Sequence, residues 1–190
     1  MCSFTPRSLR RRGSRCCVSS PRGRRDRGAG LVRRRVCAAA AGGRGTGGLA
    51  GAGGGVEVLA LRRSENGRCA GSWETVHGTI ESGETPVQAS LRELEEETGL
   101  VAVRLYNASR LESFYRHRVD EVALIPVFVA FVDPAAEPRV SSEHDRAEWL
   151  QPAQALARFA WPRERRALED ILSMVGGGDA GLLDDVLRVC

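Results

Sequence analysis

The sequence predicts an α/β (α+β) domain in which a mixed sheet of strands is packed between helices. Two apolar segments carry this prediction. Residues 56–61 alternate in aliphatic character, and residues 121–132 form a long run that ends in VALIPVFVAFV; both patterns are typical of strands. A helical segment lies between them at residues 86–98. Strands that surround one central helix and precede a terminal helix predict a sandwich of this class.

The central helix has recognisable ends in the sequence. Thr85 is expected to cap its N-terminus, with Pro86 at the first helical position and Gln88 three residues after the cap. Gly99 is expected to end the helix, because glycine readily takes the left-handed conformation that follows a last helical turn.

The remaining elements follow from the same periodicity arguments. We expect extended segments at residues 73–80, 100–109, 110–116 and 147–150, and helices at 154–159 and 163–174. The last helix would dock through Ala167, Leu168, Ile171 and Leu172. Pro126 lies within the long apolar strand and predicts an edge position or a bulge, because proline lacks the N–H that a sheet uses.

The chain of 190 residues divides by charge into two parts. Residues 1–50 hold 13 Arg and one acid and carry +12, whereas residues 51–190 hold 15 Arg and 23 acids and carry −8. The basic part buries too little apolar surface to offset the entropy of ordering. We therefore predict a disordered extension over 1–50, a domain over 51–176 and a tail over 177–190 with room for a short helix. Deleting residues 1–45 is expected to leave the melting temperature and turnover nearly unchanged.

Three interpretations of the extension stay open. The first is a dispensable extension that results from an upstream start codon. The second is a transit peptide, since such peptides are typically rich in Arg and poor in acids. The third is a nucleic-acid-binding arm. No aromatic residue follows Phe4 in this segment, which argues against nucleic acid.

No stretch reaches the roughly 18 apolar residues of a membrane helix. We expect a cytoplasmic protein, or an organellar one if the transit peptide is real.

The central helix is dense in acids. Residues 72–100 contain seven Glu and one Arg, and Glu93, Glu96 and Glu97 share one helical face by their spacing. Carboxylates without basic partners repel one another, and a hard divalent cation such as Mg²⁺ reverses that repulsion. A solvated acidic face is the alternative.

Residues 78–100 place glycines, acids and one arginine at fixed intervals, as GTIESGETPVQASLRELEEETGL. Five residues separate Gly78 from Glu84, and seven separate Glu84 from Arg92. In this order and spacing the segment resembles the complete signature of the Nudix hydrolase family. The resemblance implies the Nudix fold, with the signature as a loop–helix–loop. It also implies attack of water on a phosphorus of a nucleoside diphosphate linked to another group, with Mg²⁺ as cofactor and Mn²⁺ as its substitute.

The resemblance assigns the metal site to the signature acids. Glu97 and Glu96 would be metal ligands, and Glu93 would be a ligand or the general base. The residue before the first signature glycine, His77, would lend its backbone carbonyl. Mg²⁺ prefers such oxygen ligands together with phosphates of the substrate.

The other signature residues would support the loop. Arg92 would pair with Glu84 to brace it, and Gly78 and Gly99 would be turn residues that need glycine's backbone freedom. The family also has a strand before the one at residues 56–61. Here Val36–Ala40 is the only candidate, which leaves substrate contacts from that strand in doubt but not the metal site.

The surrounding sequence is similar to the bacterial dihydroneopterin triphosphate pyrophosphohydrolases, also labelled dATP pyrophosphohydrolases. The similarity lies in SWETVHGTIESGET and in the later segments Ser142-Glu143-His144, Trp149-Leu150, Ala160-Trp161 and Arg166-Ala167. It implies that Glu143 completes the metal site and takes part in catalysis, and that Arg62 contacts phosphate. The aromatic candidates for substrate binding, each with a core position as its alternative, are Trp73, Phe114, Tyr115 and Trp161.

The leading hypothesis is therefore a pyrophosphohydrolase for a nucleoside triphosphate or a related pterin compound. Hydrolysis of ADP-ribose or of dinucleoside polyphosphates stays open. So do a non-catalytic nucleotide-binding regulator, which would typically lack some signature acids, and an isomerase or base-repair glycosylase. The expected partner is a small nucleotide-like molecule and not a membrane, and a homodimer stays open.

Overall fold

A computed structural model describes residues 35–42 and 55–190. In this part of the chain seven strands form one sheet. The strands are β1 Arg35–Gly42, β2 Glu57–Arg63, β3 Trp73–Glu74, β4 Val76–Thr79, β5 Ala102–Arg116, β6 Glu121–Val132 and β7 His144–Leu150. The helices are α1 Pro86–Thr98, α2 Pro152–Arg158, α3 Pro162–Val175 and α4 Asp184–Leu187, the last preceded by a 3-10 turn at Gly181–Leu183.

The sheet is mixed, as predicted. The strand order is β3-β2-β1-β6-β5, with β4 also paired to β1 and β7 to β2. β1 and β6 run parallel, and the other pairs run antiparallel. The expected strands at residues 56–61, 121–132 and 147–150 correspond to β2, β6 and β7.

Helices cover both faces of the sheet. Leu59 of β2 packs in one cluster with Leu94 of α1, whereas its neighbour Val58 packs in another with Leu168 of α3. Successive side chains of a strand point to opposite faces, so α1 lies on one face and α2 with α3 on the other. The predicted sandwich is confirmed, and α3 docks through the expected stripe, with Ala167, Leu168 and Ile171 buried.

The first strand corrects the predicted domain boundary. Residues 1–50 were expected to form a disordered extension, but Arg35–Gly42 is a strand in the middle of the sheet. It pairs with β2 and β4 on one side and with β6 on the other. The weak candidate at Val36–Ala40 is therefore the missing first strand, and the domain includes it. The rest of the predicted extension, residues 1–34 and 43–50, lies outside the described residues.

β5 is one continuous strand where the sequence predicted two. Its pairing with β6 shifts register between Asn107 and Arg110, and Ser109 has a positive φ of 51°. Such a bulge adds a residue to one strand without ending it. Pro126 of β6 lies beside this irregular region, and β1 pairs with β6 only from Val127 onward. Among the described strands, Pro126 is therefore paired on one side only. This agrees with the prediction that it lies at an edge or a bulge, where its missing N–H breaks no sheet hydrogen bond.

The C-terminal segment belongs to the domain. The predicted short helix is present at Asp184–Leu187. Beyond it, the amide of Val189 donates to the carbonyl of Leu105 in β5 at 2.7 Å, and the Tyr106 hydroxyl reaches Asp184 at 2.7 Å. Across the described part of the chain, none of the helices has the length and apolar character needed to span a bilayer.

Candidate active site

The signature helix α1 has the predicted ends. The side chain of Thr85 accepts from the amide of Gln88, and the Gln88 side chain in turn accepts from the amide of Thr85 at 2.9 Å. Pro86 is the first helical residue. Gly99 closes the helix with a φ of 67°, a left-handed conformation that favours glycine. These caps fix the direction in which the acids of α1 project.

Gly78 allows Glu93 to approach the backbone before the helix. A Cβ atom at Gly78 would lie 2.0 Å from Cγ and 2.3 Å from Oε1 of Glu93. The Glu93 carboxylate also accepts from the amide of Thr79 at 3.0 Å. A side chain at position 78 is therefore incompatible with this position of Glu93, which gives the first glycine of the signature a steric reason.

Replacing Gly78 by alanine should displace Glu93 and lower turnover by ~10- to 100-fold, the scale of a misplacement of about 1 Å. Steady-state kinetics of Gly78→Ala would measure this. Gly177→Ala is the matched control, because a Cβ there meets nothing within 4 Å. Unchanged turnover in Gly78→Ala would show that the position of Glu93 does not matter.

Arg92 braces the loop before the helix, as predicted. Its Nε and Nη2 donate to the two carboxylate oxygens of Glu84 at 3.0 and 3.1 Å, and Nη2 also donates to the carbonyl of Thr79 at 3.0 Å. The hydrogen bond from Arg92 lowers the pKa of Glu84. Nη1 of Arg92 lies 2.9 Å from Glu96 Oε2. Glu96 thus faces outward onto Arg92 and is exposed.

Glu97 is the most deeply buried acid of the signature, with 8% of its surface exposed. Burial raises the pKa of Glu97 to about 8, and the negative charges of Glu93 and Glu143 act in the same direction. Oε2 of Glu97 has no hydrogen-bond partner within the part of the chain that the structure describes. A buried, unpartnered carboxylate oxygen beside two further acids is an arrangement that a divalent cation would satisfy.

The charge of Glu97 should make the metal-free protein less stable as pH rises. The pKa of Glu97 is about 8 in the folded chain and near 4.5 in its unperturbed state. Between these values the unfolded chain loses this proton and the folded chain keeps it, so stability falls from about pH 4.5 to about pH 8, by up to about 1.4 kcal/mol per pH unit.

Thermal unfolding with a chelator at pH 5, 6.5 and 8 would measure this slope. Glu97→Gln should be flatter than wild type, while Glu95→Gln, at an exposed position of the same helix, should match wild type. Equal slopes in all three proteins would contradict the buried ionisation of Glu97.

Glu143 lies on a loop that is tied to the end of α1. The amides of Arg139 and Ser141 donate to the carbonyls of Thr98 and Glu97, at 2.7 and 3.1 Å. Glu143 is exposed, and its Oε2 lies 3.3 Å from Nη2 of Arg63. The loop therefore brings this acid to the buried Glu97, on whose pKa its charge acts.

Arg63 and Glu74 are neighbours of these acids that the sequence analysis did not select. Arg63 Nη1 donates to Oε1 of the buried Glu74 at 2.7 Å. Burial alone would raise the pKa of Glu74, but the hydrogen bond from His144 and the charges of His77 and Arg63 outweigh it and hold that pKa at about 2. Glu74 is thus a fixed negative charge that anchors Arg63 beside Glu143.

His77 reaches a second buried acid that sequence reasoning missed. Its Nε2 lies 2.5 Å from Oε1 of Glu164 in α3. Burial raises the pKa of Glu164, and the contact with His77 opposes that shift. The sequence held a signal for this residue, because Glu164 falls on the buried stripe of α3 with Ala167, Leu168, Ile171 and Val175.

Two groups of side chains could hold a cation. The first is the signature set of Glu93 and Glu97, with Glu143 nearby. In the second, ligand atoms of Glu74, His77 and Glu164 all lie within 4.8 Å of one another. Each group is contacted by an arginine, Arg92 on Glu93 and Arg63 on Glu74, and each has a buried carboxylate oxygen without a hydrogen-bond partner among the described residues, on Glu97 and on Glu164. The signature set offers carboxylates alone, whereas the second group includes the imidazole of His77. Because Mg²⁺ prefers oxygen ligands, the signature set fits such a hard cation better.

Two predicted substrate-binding residues are not brought to these acids. Arg62 makes a double hydrogen bond with Asp145, at 2.7 and 2.5 Å, and it is the adjacent Arg63 that faces Glu143. Trp73 packs against the cluster of α2 and α3, with the Arg158 guanidinium 4.7 Å from its ring centroid. Successive residues of a strand face opposite ways, so Trp73 and Arg62 project away from the site that Glu74 and Arg63 face.

Of the remaining aromatic candidates, Phe114 and Trp161 lie beside the acidic site, whereas Tyr115 does not. Phe114 and Trp161 meet edge to face, with ring centroids 6.4 Å apart. Arg163 lies over both rings and next to Glu164, so this pair borders the acidic site. Tyr115 points to the other face of β5, where its hydroxyl donates to Asp120 at 2.9 Å.

The comparison with protein families decides the classification. A model described as the NUDIX domain matches residues 45–171. The chain belongs to the Nudix family. The family resemblance read from residues 78–100 is thereby confirmed. Nudix hydrolases generally use divalent metals, which agrees with the buried acids of this site.

Two curated relatives are similar to parts of this Nudix chain. An octanoyltransferase of Myxococcus xanthus is 34% identical over 119 residues, which cover 59% of this chain and 31% of that protein. A MutT-like protein of Streptomyces ambofaciens is 32% identical over 103 residues, which cover 54% and 60%. The matched part thus spans about a third of the length of the first relative and three fifths of the second.

Solved structures of Nudix proteins share the fold. The MutT protein of Methanosarcina mazei is 26% identical with a TM-score of 0.57, over 74% of this chain and 93% of that chain. The E. coli dihydroneopterin triphosphate pyrophosphohydrolase is 24% identical with a TM-score of 0.56, over 74% and 94%. A C. elegans Ap4A hydrolase is 18% identical with a TM-score of 0.60, over 77% and 99%.

Proposed function

We propose that this protein is a Mg²⁺-dependent pyrophosphohydrolase that cleaves a nucleoside triphosphate, or a related pterin triphosphate, by attack of water on phosphorus. The observation that carries the proposal is the buried carboxylate of Glu97, whose Oε2 has no hydrogen-bond partner among the described residues. Its neighbour Glu93 is held against Gly78. Membership of the Nudix family supports the reaction class. Pterin triphosphates are included because the fold is similar to that of the E. coli dihydroneopterin triphosphate pyrophosphohydrolase.

The signature acids would hold the metal and the triphosphate. Glu93 and Glu97 are the proposed ligands, together with Glu96 and the carbonyl of His77. Mg²⁺, when bound, would neutralise phosphate charge and lower the pKa of the attacking water. Arg92 contacts Glu93 and Glu96 at the same distance, 2.9 Å, but the side chain of Glu96 is 59% exposed and that of Glu93 only 15%. We therefore assign Glu96 the weakest part in metal binding. Arg92 keeps the loop in place through Glu84.

Glu143 is the proposed general base. It is exposed to solvent, so water reaches it, and its charge acts on Glu97. Arg63 holds it at 3.3 Å and is itself anchored on the buried Glu74. A base that is fixed in this way can accept a proton from water without first reorganising its loop.

Replacing Glu143 by glutamine should lower kcat by ~10²-fold or more, the scale of a lost general base, with little change in KM. Removal of a group that acts in the transition state has this signature. Glu137→Gln, at an exposed position earlier in the same loop, is the control and should behave as wild type. A kcat that is unchanged in Glu143→Gln would leave the chemistry to Glu93, Glu96 and Glu97.

The substrate class is tested by a panel measured with Mg²⁺. Nucleoside triphosphates and a pterin triphosphate should release pyrophosphate, whereas ADP-ribose and dinucleoside polyphosphates should react at least ~10-fold more slowly in kcat/KM, a difference of about 1.4 kcal/mol. Faster cleavage of either of the latter would assign the site to that class instead. Binding of a nucleotide without any hydrolysis would favour the non-catalytic regulator.

A further inference from the structure

Two aromatic rings and one arginine form a small surface beside the acidic site, here called the ring platform. Its members are Phe114 of β5, Trp161 at the N-cap of α3, and Arg163 in the first turn of α3. Phe114 meets Trp161 edge to face, with an angle of 80° between the rings. Phe114 is 42% exposed, so part of its ring is free to receive a flat molecule. Trp161 is partly buried, so the exposed ring of Phe114 is the surface on which a heterocycle would stack.

Arg163 is held in place by charge and by the two rings. Its guanidinium lies 5.3 Å from the centroid of Trp161 and 5.8 Å from that of Phe114. Nε is 3.8 Å from Glu112 and Nη2 is 3.9 Å from Glu164, distances beyond hydrogen-bond range. Nε is buried and has no hydrogen-bond partner in the part of the chain that the structure describes. The donors that a ligand can reach are therefore those of the outer guanidinium nitrogens, on a side chain that is 17% exposed.

The ring platform is connected to the signature through one buried acid. Glu164 Oε1 lies 3.9 Å from Nη2 of Arg163 and 2.5 Å from Nε2 of His77. His77 directly precedes Gly78, and its charge acts on the pKa of Glu97. The ring platform therefore adjoins the signature loop through Glu164 and His77, which is the reason to place the base of a bound triphosphate there.

We propose that Arg163 reads the base of the substrate on the ring platform and favours a base with an oxo group next to a ring-nitrogen acceptor. This inference rests on the proposed function. Arginine has five N–H donors and no acceptor, and its fork matches O6 and N7 of guanine. A pterin presents the same pair of acceptors, whereas adenine presents an amino donor in place of the oxo group. The selected class is therefore guanine- or pterin-like rather than adenine-like.

The test is equilibrium binding of GMP and AMP, measured by titration calorimetry with Mg²⁺ present. Wild type should bind GMP at least ~10-fold more tightly than AMP, since a bidentate arginine contact discriminates by about 1–3 kcal/mol. Arg163→Lys keeps the charge but loses the fork, and it should bring the ratio of the two dissociation constants close to one. Arg166→Lys, on the exposed side of α3, is the matched control and should keep the wild-type ratio.

Phe114→Leu separates stacking from base reading. It should weaken both nucleotides alike and leave their ratio unchanged, because every base has a π-face. An equal ratio in wild type and Arg163→Lys, or no measurable binding of either nucleotide to wild type, would overturn the inference. Hydrolysis in the substrate panel is measured separately, so a failure of base reading and a failure of the proposed function are distinguishable.

Discussion

Replacing Glu97 by glutamine is expected to lower Mg²⁺-dependent turnover by roughly 10³-fold, the several kcal/mol that a metal site supplies to a phosphoryl transition state. Glutamine has the shape of glutamate but not its charge. The side chain is 8% exposed, and the neutral amide should be at least as stable there as a buried carboxylate. The fold should therefore be preserved while the metal site is lost.

Three measurements together check this result: kcat at saturating Mg²⁺, the thermal midpoint and the circular dichroism spectrum. Glu95→Gln is the matched control, because it changes the same residue type on the exposed side of α1. Near-wild-type activity of Glu97→Gln at saturating Mg²⁺ would remove Glu97 from the metal site.

Deleting residues 1–45 is expected to abolish the folded state. The deletion removes β1, which lies between β2 and β4 on one side and β6 on the other. The strands on both sides would lose their backbone partners at once, and buried unpaired N–H and C=O groups are strongly destabilising. This outcome reverses the expectation from composition that the deletion is harmless.

The matched control is a deletion of residues 1–30, which leaves Arg35–Gly42 intact. It should yield soluble protein with an unfolding transition, whereas the longer deletion should yield insoluble protein or none. A wild-type thermal midpoint after removal of residues 1–45 would contradict the central position of β1.

The signature region could be predicted because its interactions are local. Thr85, Gln88 and Gly99 lie next to the helix that they cap, and Glu84 lies eight residues before its partner Arg92. Periodicity and cap chemistry report such short-range contacts directly. The same argument explains why β2, β6 and α3 were found near their actual bounds.

The missed features depend on partners that are distant along the chain. β1 reads RVCAAAAG, an alanine-rich segment with little strand preference of its own, and it is a strand because β6 and β4 pair with it. Glu164 lies on the buried stripe of α3, but its partner there is His77, 87 residues earlier, which periodicity does not report. Arg62 and Arg63 are adjacent, so an error of one residue in the strand register exchanges the faces of β2 to which their side chains point. The register of β2 against β7 shifts between these two residues, and the sequence does not indicate that shift.

The most direct test of the proposed reaction is hydrolysis of a nucleoside triphosphate in ¹⁸O-labelled water, with the products analysed by mass spectrometry. The proposed site at Glu93, Glu97 and Glu143 predicts release of pyrophosphate that requires Mg²⁺ or Mn²⁺, with the label in a phosphoryl group of one product. Label in the sugar would mean attack on carbon, as a glycosylase would do. That result, or the absence of any hydrolysis by the folded protein with these metals, would contradict the account.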